Sequence, residues 1–374
     1  MQFKDIYGQE AVKERLLKSV REGRIPHAQL ICGPQGTQKL ALALAFAQYV
    51  NCKNRTETDS CGICPSCKKI SALIHPDLHF AYPIVKKGDK DTTCSEYAAE
   101  WREMVTKHSP FTLSQWLDFI GAENKQAVIY ANESEEINNT LSQKAYEGGY
   151  KTMVIWLPEK MHVVCANKLL KTIEEPLGKT LFLLVSNNAE EVLGTILSRT
   201  QRIPVAPLCE EDIRHFLQDR HPNLDQQTVS DAAHLGNGSL TDAEGSLTGS
   251  SDNREYLELF KKVMRASYAR NAKQMKEWTE EISGIGRKRH ISFLEYAQRM
   301  IRESFISNLK NPALNYMTKE ESEFVSKFGP FVNERNIAGL TRELQLAQRD
   351  IEQNTPAKLV FFDLALKMTM LIKQ

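Results

Sequence analysis

The fold is decided by the stretch Gly33-Pro34-Gln35-Gly36-Thr37-Gln38-Lys39-Leu40. It follows a short apolar run, residues 28–32, and it precedes an alanine- and leucine-rich segment, residues 41–47, that favours a helix. A strand, a glycine-containing turn and a helix in this order form the setting of a phosphate-binding loop, or P-loop. In a working P-loop, backbone N–H groups hold the phosphates, a lysine reaches the outer ones, and a Ser or Thr hydroxyl binds Mg²⁺.

Two positions of the stretch depart from a working P-loop. Gln38 stands where the second glycine belongs, so a bulky side chain occupies the place where phosphate must approach the backbone. Leu40 replaces the hydroxyl residue and cannot hold a metal. Lys39 remains and could still bind an anion weakly. The stretch alone leaves two interpretations open, a chance glycine turn and a P-loop fold that has lost its ATPase activity.

Composition sets the broad class of the protein. A chain of 374 residues predicts two or three domains, and a hydrophobic content of 41% is sufficient for packed cores. The formal net charge of +1 gives no overall attraction to nucleic acid or to anionic membranes. No apolar run approaches the ~18 residues of a membrane span, and the first residues show no signal-peptide pattern. We therefore expect a cytoplasmic protein.

Four of the eight cysteines form a cluster with the spacing C-x8-C-x2-C-x2-C, at Cys52, Cys61, Cys64 and Cys67. The C-x2-C turns allow pairs of thiolates to meet one ion, and four thiolates complete a closed tetrahedral site. Because such a site has no open position for water, we predict structural rather than catalytic Zn²⁺. The alternative is a set of reduced thiols that has lost its metal.

The second element of an ATPase site is also altered. Residues 153–157 are continuously apolar, which is typical of a buried strand. In P-loop ATPases such a strand ends in acidic residues that hold Mg²⁺ and orient the attacking water. Here the nearest acid is Glu159, which comes after a proline, beyond the end of the strand. In an active enzyme Glu159 would be the catalytic acid.

Three later segments carry a family resemblance: a helix that ends at a proline, residues 167–176, an apolar strand, residues 180–187, and the segment Leu193-Gly194-Thr195-Ile196-Leu197-Ser198-Arg199-Thr200. With the cysteine cluster, and in this order, they resemble the bacterial clamp loaders of the DNA polymerase III holoenzyme. The resemblance runs from about Tyr7 to Pro207, apart from a polar segment at residues 83–130.

The resemblance implies a non-hydrolysing member of the loader. ATP-binding members keep an intact P-loop and an Asp-Glu pair, which aligns here with Trp156 and Leu157. We therefore expect that this chain does not bind ATP productively and has no intrinsic ATPase activity. The Ser-Arg-Cys motif of the family supplies an arginine finger to ATP on the neighbouring subunit, and Arg199 matches its arginine. Thr200 departs from the cysteine of that motif, which carries no charge.

The resemblance also implies an architecture. We expect an α/β AAA+-type P-loop domain at residues 1–206, with a zinc-binding insertion at about 51–68 and a second insertion at about 83–130. An all-α lid would follow at 207–250, and an all-α collar, through which subunits assemble, at 251–374. The sequence further predicts an edge strand and a helix start within residues 129–141, and a linker at residues 249–253.

The partners implied by the family are the ATPase subunits of the gamma/tau type, the delta subunit, and, through the complex, the sliding clamp and primed DNA. A hetero-pentameric ring is expected. Two rival functions remain: a divergent but active ATPase of the same fold, and an independent zinc-dependent DNA-binding module.

Overall fold

The structure, a computed structural model, describes residues 1–86, 92–123, 125–248, 250–309 and 315–373. The chain divides into two compact units, Met1–Glu244 and Gly245–Gln374.

The first unit contains a five-stranded parallel sheet. Its strands are β1 (Ala28–Cys32), β2 (Leu78–Ala81), β3 (Lys151–Trp156), β4 (Thr180–Ser186) and β5 (Gln201–Pro204). They lie in the order β2-β3-β4-β1-β5, and every pair is parallel. All residues of β1, β3 and β4 are buried, which explains their continuous apolar sequences. The three strands predicted from those sequences are confirmed.

The register of the sheet brings the two altered ATPase elements to one edge. At the carboxyl end of β1, Cys32 lies beside Ser186 of β4, and at the end of β3, Trp156 lies beside Val185. The P-loop stretch follows β1, and Glu159 follows β3. Ligands of open α/β sheets bind outside the carboxyl ends of the strands, so this edge is the candidate site.

Helices surround the sheet and continue beyond it. They are α1 (Glu10–Arg21), α2 (Lys39–Asn51), α3 (Pro65–Ser71), α4 (Ala98–Lys107), α5 (Leu113–Phe119), α6 (Glu133–Ser142), α7 (Val163–Glu174), α8 (Gly194–Leu197), α9 (Glu210–Arg220), α10 (Gln226–Gly236) and α11 (Leu240–Thr248). The helix α2 is buried along almost its whole length, as its alanines and leucines require.

The second unit is helical throughout its described part. Its helices are α12 (Ser250–Ala269), α13 (Ala272–Ser283), α14 (Arg287–Ser307), α15 (Lys319–Phe328), α16 (Ile337–Glu352) and α17 (Ala357–Leu371). They enclose an apolar core that includes Phe260, Trp278, Phe293 and Phe361. The predicted fold class, an α/β AAA+-type domain with a cysteine cluster followed by helices, is confirmed. None of the described helices has the length and apolar content needed to cross a membrane.

Two local predictions are wrong. Residues 129–141 contain no edge strand, because Ile129 forms only an isolated bridge to Met161 and α6 begins at Glu133. The short strands β2 and β5 form the edges of the sheet instead. The predicted linker at residues 249–253 is also incorrect in its described part, since α12 begins at Ser250. A run of polar residues can form the first turn of a helix whose apolar face starts later, here at Tyr256.

The described part of the polar segment at residues 83–130 packs against the sheet. It contains the two short helices α4 and α5, while residues 87–91 and 124 lie outside the described part. Trp101 of α4 stacks on Tyr82, with ring centroids 4.0 Å apart and planes at 9°, and contacts Trp156 at 5.3 Å. This aromatic cluster anchors the segment beside the end of β3.

Candidate functional site

The P-loop stretch keeps its glycines for packing as well as for conformation. Gly36 has a φ of +76°, and a Cβ placed there would lie 2.1 Å from the Oγ of Ser239. A Cβ on Gly33 would lie 2.2 Å from the carbonyl oxygen of Val205. The backbone N–H of Leu240 donates to the carbonyl of Gly36 at 3.0 Å. The loop is therefore fixed from outside by neighbouring parts of its own unit.

The side chains of Gln38 and Leu40 contact other parts of the protein itself. Gln38 adopts a left-handed conformation with a φ of 59°, and its Oε1 accepts a hydrogen bond of 2.9 Å from the backbone N–H of Tyr7. Leu40 is buried in the core of the first unit. Neither side chain offers a ligand for Mg²⁺, which prefers carboxylate, hydroxyl and phosphate oxygens.

Lys39 is turned back onto its own loop. Its Nζ donates to the carbonyl oxygen of Pro34 and lies 3.4 Å from the Oγ1 of Thr37. Only 5% of the residue is exposed. Burial lowers the pKa of Lys39 to about 8, against an opposing effect of Glu159. The ammonium group is thus already engaged by the loop that would present it to phosphate.

The cleft beside the loop is closed by aromatic side chains. The volume that remains is about 40 Å³, whereas sites for small-molecule ligands usually measure about 300–1,000 Å³. Phe111 and Trp156 line it, with ring centroids 5.1 Å apart, together with Ser109 and Pro110. Ser109, Pro110 and Phe111 belong to the 83–130 segment and were not recognised from the sequence, which carries no motif there and gives no signal of a contact with the loop.

Glu159 is held against the end of the neighbouring strand. Its Oε1 accepts a hydrogen bond of 2.9 Å from the backbone N–H of Asn187, just after β4. Burial raises the pKa of Glu159 above its ordinary value. A carboxyl group in this setting stabilises the strand end, and no second acid stands beside it at Trp156 or Leu157.

The four clustered cysteines meet as a tetrad. The sulfur atoms of Cys52, Cys61, Cys64 and Cys67 all lie within 4.8 Å of one another. Among the residues that the structure describes, this group has the arrangement needed to hold a metal ion. The Sγ atoms of Cys52 and Cys61 are 3.5 Å apart, and those of Cys61 and Cys67 are 3.9 Å apart. Tetrahedral Zn–S bonds of about 2.3 Å place sulfurs roughly 3.8 Å apart, so the tetrad fits zinc.

Backbone N–H groups of the tetrad donate to three of its four sulfurs. The N–H groups of Cys61, Cys64 and Cys67 each point at the sulfur of another member of the cluster, at 3.3–3.5 Å. Although burial opposes the shift, the N–H of Cys67 helps lower the pKa of Cys64 to about 6, whereas burial raises the pKa of Cys52 and of Cys67. The thiolate is the form that binds zinc.

Neither nearby histidine belongs to the tetrad. His75 is buried and its Nε2 lies 3.1 Å from the Oγ of Ser66 and 3.4 Å from Glu147. Ser66 sits between two of the cysteines, so His75 connects the tetrad to the start of β2. His79 lies within β2.

Arg199 lies at the surface of the first unit, after α8. Its Nε forms a salt bridge of 2.8 Å with Glu174 of α7. One Nη atom donates to the carbonyl of Thr195 at 3.0 Å and to the Oγ of Ser198 at 3.3 Å. The side chain is 31% exposed. These bonds hold the guanidinium at the surface. None of the bonds described for Arg199 involves the P-loop stretch.

Comparison with known proteins identifies the family. A sequence model of the family described as "DNA polymerase III, delta subunit" matches residues 8–209, which is more than half of the chain. The chain belongs to this family. The match covers the P-loop stretch, the cysteine tetrad and Arg199, so the clamp-loader resemblance predicted from those residues is confirmed.

Individual members of the clamp-loader family agree with this assignment. The DNA polymerase III subunit delta' of Bacillus subtilis is 29% identical over 58% of this chain and 54% of its own length. That of Escherichia coli is 28% identical over 60% of the chain and 56% of its length. The Escherichia coli subunit tau is 26% identical over 64% of the chain but only 32% of its length. The chain thus spans between about a third and a little over half of these relatives.

Proposed function

We propose that this protein is a delta-prime-like subunit of the DNA polymerase III clamp loader. It does not hydrolyse ATP itself, and it stimulates hydrolysis on a neighbouring loader subunit through Arg199 during DNA replication. The observation that carries the proposal is the closed cleft: Phe111 and Trp156 occupy the space beside the loop, and Lys39 is bonded to Pro34. This site lacks both the room for a triphosphate and the ligands for its metal.

Arg199 has the features of a finger that acts on another subunit. An arginine finger stabilises the charge on the transferring γ-phosphoryl group and needs no nucleotide in its own chain. The salt bridge with Glu174 and the bond to Thr195 fix the guanidinium before any partner arrives. Among the described contacts none uses Nη2, so one edge of the planar fork remains available for phosphate.

The partners follow from the family. The neighbour that receives Arg199 would be an ATPase subunit of the gamma/tau type, and the delta subunit would complete a hetero-pentameric ring. The sliding clamp and primed DNA would be reached through this assembly, as part of a DNA-directed DNA polymerase holoenzyme. The tetrad of Cys52, Cys61, Cys64 and Cys67 would hold structural Zn²⁺ and take no part in the chemistry.

The test of the finger role uses Arg199→Ala in a reconstituted loader. In this loader, the P-loop lysine is substituted in every ATPase subunit except the one next to this chain. The measured ATP turnover then comes from a single active site. We expect ATP turnover at that site to fall on the order of 10³–10⁵-fold, the usual contribution of an arginine finger. Arg199→Lys keeps the charge but not the planar fork and should remain strongly impaired.

The matched control is Arg202→Ala. Arg202 is an exposed arginine three residues further along, on β5. The Arg202→Ala variant should leave ATP turnover unchanged. A loader that retains full turnover with Arg199→Ala, while the variant assembles normally, contradicts the finger role.

The similarity to the tau subunit favours one rival, an active ATPase. The purified chain distinguishes the two. We expect ATP turnover at the background rate, unaltered by Lys39→Ala, and no saturable binding of ATP with Mg²⁺ at millimolar concentrations. Turnover well above background that disappears with Lys39→Ala would establish the rival.

A further inference from the structure

A second pocket lies in the first unit beside β2 and β3, apart from the P-loop cleft. It has a volume of about 200 Å³ and is enclosed by the edge strand β2 and the helices α4 and α6. Its lining shares no residue with the P-loop cleft. The volume lies below the usual range of about 300–1,000 Å³ for drug-sized ligands, so its occupant must be small.

One wall of this pocket is aromatic. Phe80 and Trp101 line it, with ring centroids 6.1 Å apart, and Tyr82 stacks on Trp101. Aromatic faces attract organic cations through their quadrupole and also accept hydrocarbon.

Two carboxyl groups from α6 also line the pocket. Glu133 is only 3% exposed, and its Oε2 accepts a hydrogen bond of 2.9 Å from the backbone N–H of Cys94. Glu136 lies one turn further and also lines the pocket. Within the described part of the chain, no lysine or arginine forms an ion pair with either group. A buried carboxylate without a cation is unfavourable, since burial removes its hydration.

The other titratable groups of the pocket do not supply the missing charge. Burial lowers the pKa of His79, which keeps its ring neutral near pH 7. Burial raises the pKa of the Cys94 thiol well above its ordinary value, so it too is neutral. Arg102 also lines the pocket, but its Nε donates to the carbonyl of Leu73 at 3.4 Å, and it forms no ion pair with Glu133 or Glu136 among the described contacts. Burial, with the like charge of Glu136 adding to it, raises the pKa of Glu133 to about 7.

We propose that this pocket binds a small organic cation of the alkylammonium or alkylguanidinium class. The charged head lies against Glu133 and Glu136, and the hydrocarbon part lies on Phe80 and Trp101. The cation supplies the partner that Glu133 lacks, and the aromatic wall selects an organic cation over a hydrated metal ion.

Calorimetric titration of the full chain with n-butylammonium and n-butylguanidinium tests this proposal at pH 8, where Glu133 is ionised. Quenching of tryptophan fluorescence gives a second readout, since Trp101 lines the pocket. We expect one saturable site for at least one of the two probes. Glu133→Gln retains an acceptor for the Cys94 N–H and should weaken binding at least tenfold. Glu136→Gln should weaken it severalfold, and it carries the test if the first variant does not fold.

The matched control is Glu135→Gln. Glu135 lies on the same turn of α6, but its side chain is 70% exposed and pairs with Lys168 outside the pocket. It should bind the probes as the wild type does, and n-pentanol, a neutral molecule of similar length, should not bind. The proposal is overturned if the wild type shows no saturable binding, if Glu133→Gln binds equally well, or if n-pentanol binds as tightly as the cations.

Discussion

The P-loop cleft and the cysteine tetrad lie in the same unit of the protein, and both begin from short sequence motifs, yet they have different contents. In the tetrad every side chain that the chemistry requires is present and converges on one point. In the cleft the backbone frame is kept, while Gln38, Leu40 and Lys39 are all bonded to or buried in the protein itself. A motif therefore has two separable parts, a frame that folding maintains and side chains that perform the chemistry.

The largest effect is expected at the tetrad. Structural zinc contributes about 10–16 kcal/mol to the folding of zinc-finger peptides. Cys64→Ser should reduce the metal content below one zinc per chain and lower the free energy of unfolding by several kcal/mol, because three thiolates cannot close the site. Metal analysis by mass spectrometry and urea unfolding measure the two quantities.

Cys209→Ser is the control for the tetrad. Cys209 is exposed and lies outside the cluster, so its loss should change the free energy of unfolding by no more than about 0.5 kcal/mol. A wild-type protein that is fully folded without metal, and as stable as the metal-loaded form, would remove the contrast between the two sites.

Leu40→Ala tests the next effect. Leu40 occupies the position where a working P-loop has its metal-binding hydroxyl, and here that position belongs to the hydrophobic core. Because Leu40 is buried, we expect the free energy of unfolding to fall by about 2–5 kcal/mol. Leu177→Ala, at a leucine that is 62% exposed, should cost less than about 0.5 kcal/mol. Urea unfolding followed by circular dichroism measures both. Equal, small losses would mean that Leu40 does not support the core. A metal-binding hydroxyl residue could then replace it without loss of stability.

The smallest effect concerns the charge of Lys39 and appears as a dependence on pH. Burial lowers the pKa of Lys39 in the folded state to about 8, from 10.5 in the unfolded chain. Between these values the unfolded chain binds more protons, so the stability of the wild type rises with pH relative to Lys39→Met. The gain is at most about 3 kcal/mol. Parallel stability curves for the two proteins between pH 7.5 and 10.5 would show that Lys39 is solvated and free to leave its loop.

Local patterns predicted the interior of the fold. The apolar runs of β1, β3 and β4 and the helix α2 could be predicted because the strands are buried along their whole length and the helix along almost all of it. The edge strand β5 was missed because only Ile203 among its four residues is buried, so it shows no apolar run. The start of α12 was missed because its first residues are polar.

The candidate site divides in the same way. Cysteine spacing is a local signal, and it was sufficient to predict four thiols that could hold a metal ion. The closure of the cleft depends on Phe111, which lies more than seventy residues after Lys39 in the chain and meets the loop only in the folded protein. The roles of Lys39 and Arg199 remain predictions, since each depends on a nucleotide or a neighbour that acts from outside the chain.

The glycines of the P-loop stretch have a consequence for how such signatures should be weighed. Gly33 has no room for a methyl group beside Val205, and Gly36 has none beside Ser239. Both demands arise from the architecture and would persist in a descendant that never met a nucleotide. Glycines alone can therefore outlast an enzyme's activity, and a genome survey that counts them will overestimate its ATPases unless it also weighs the residues between and after them.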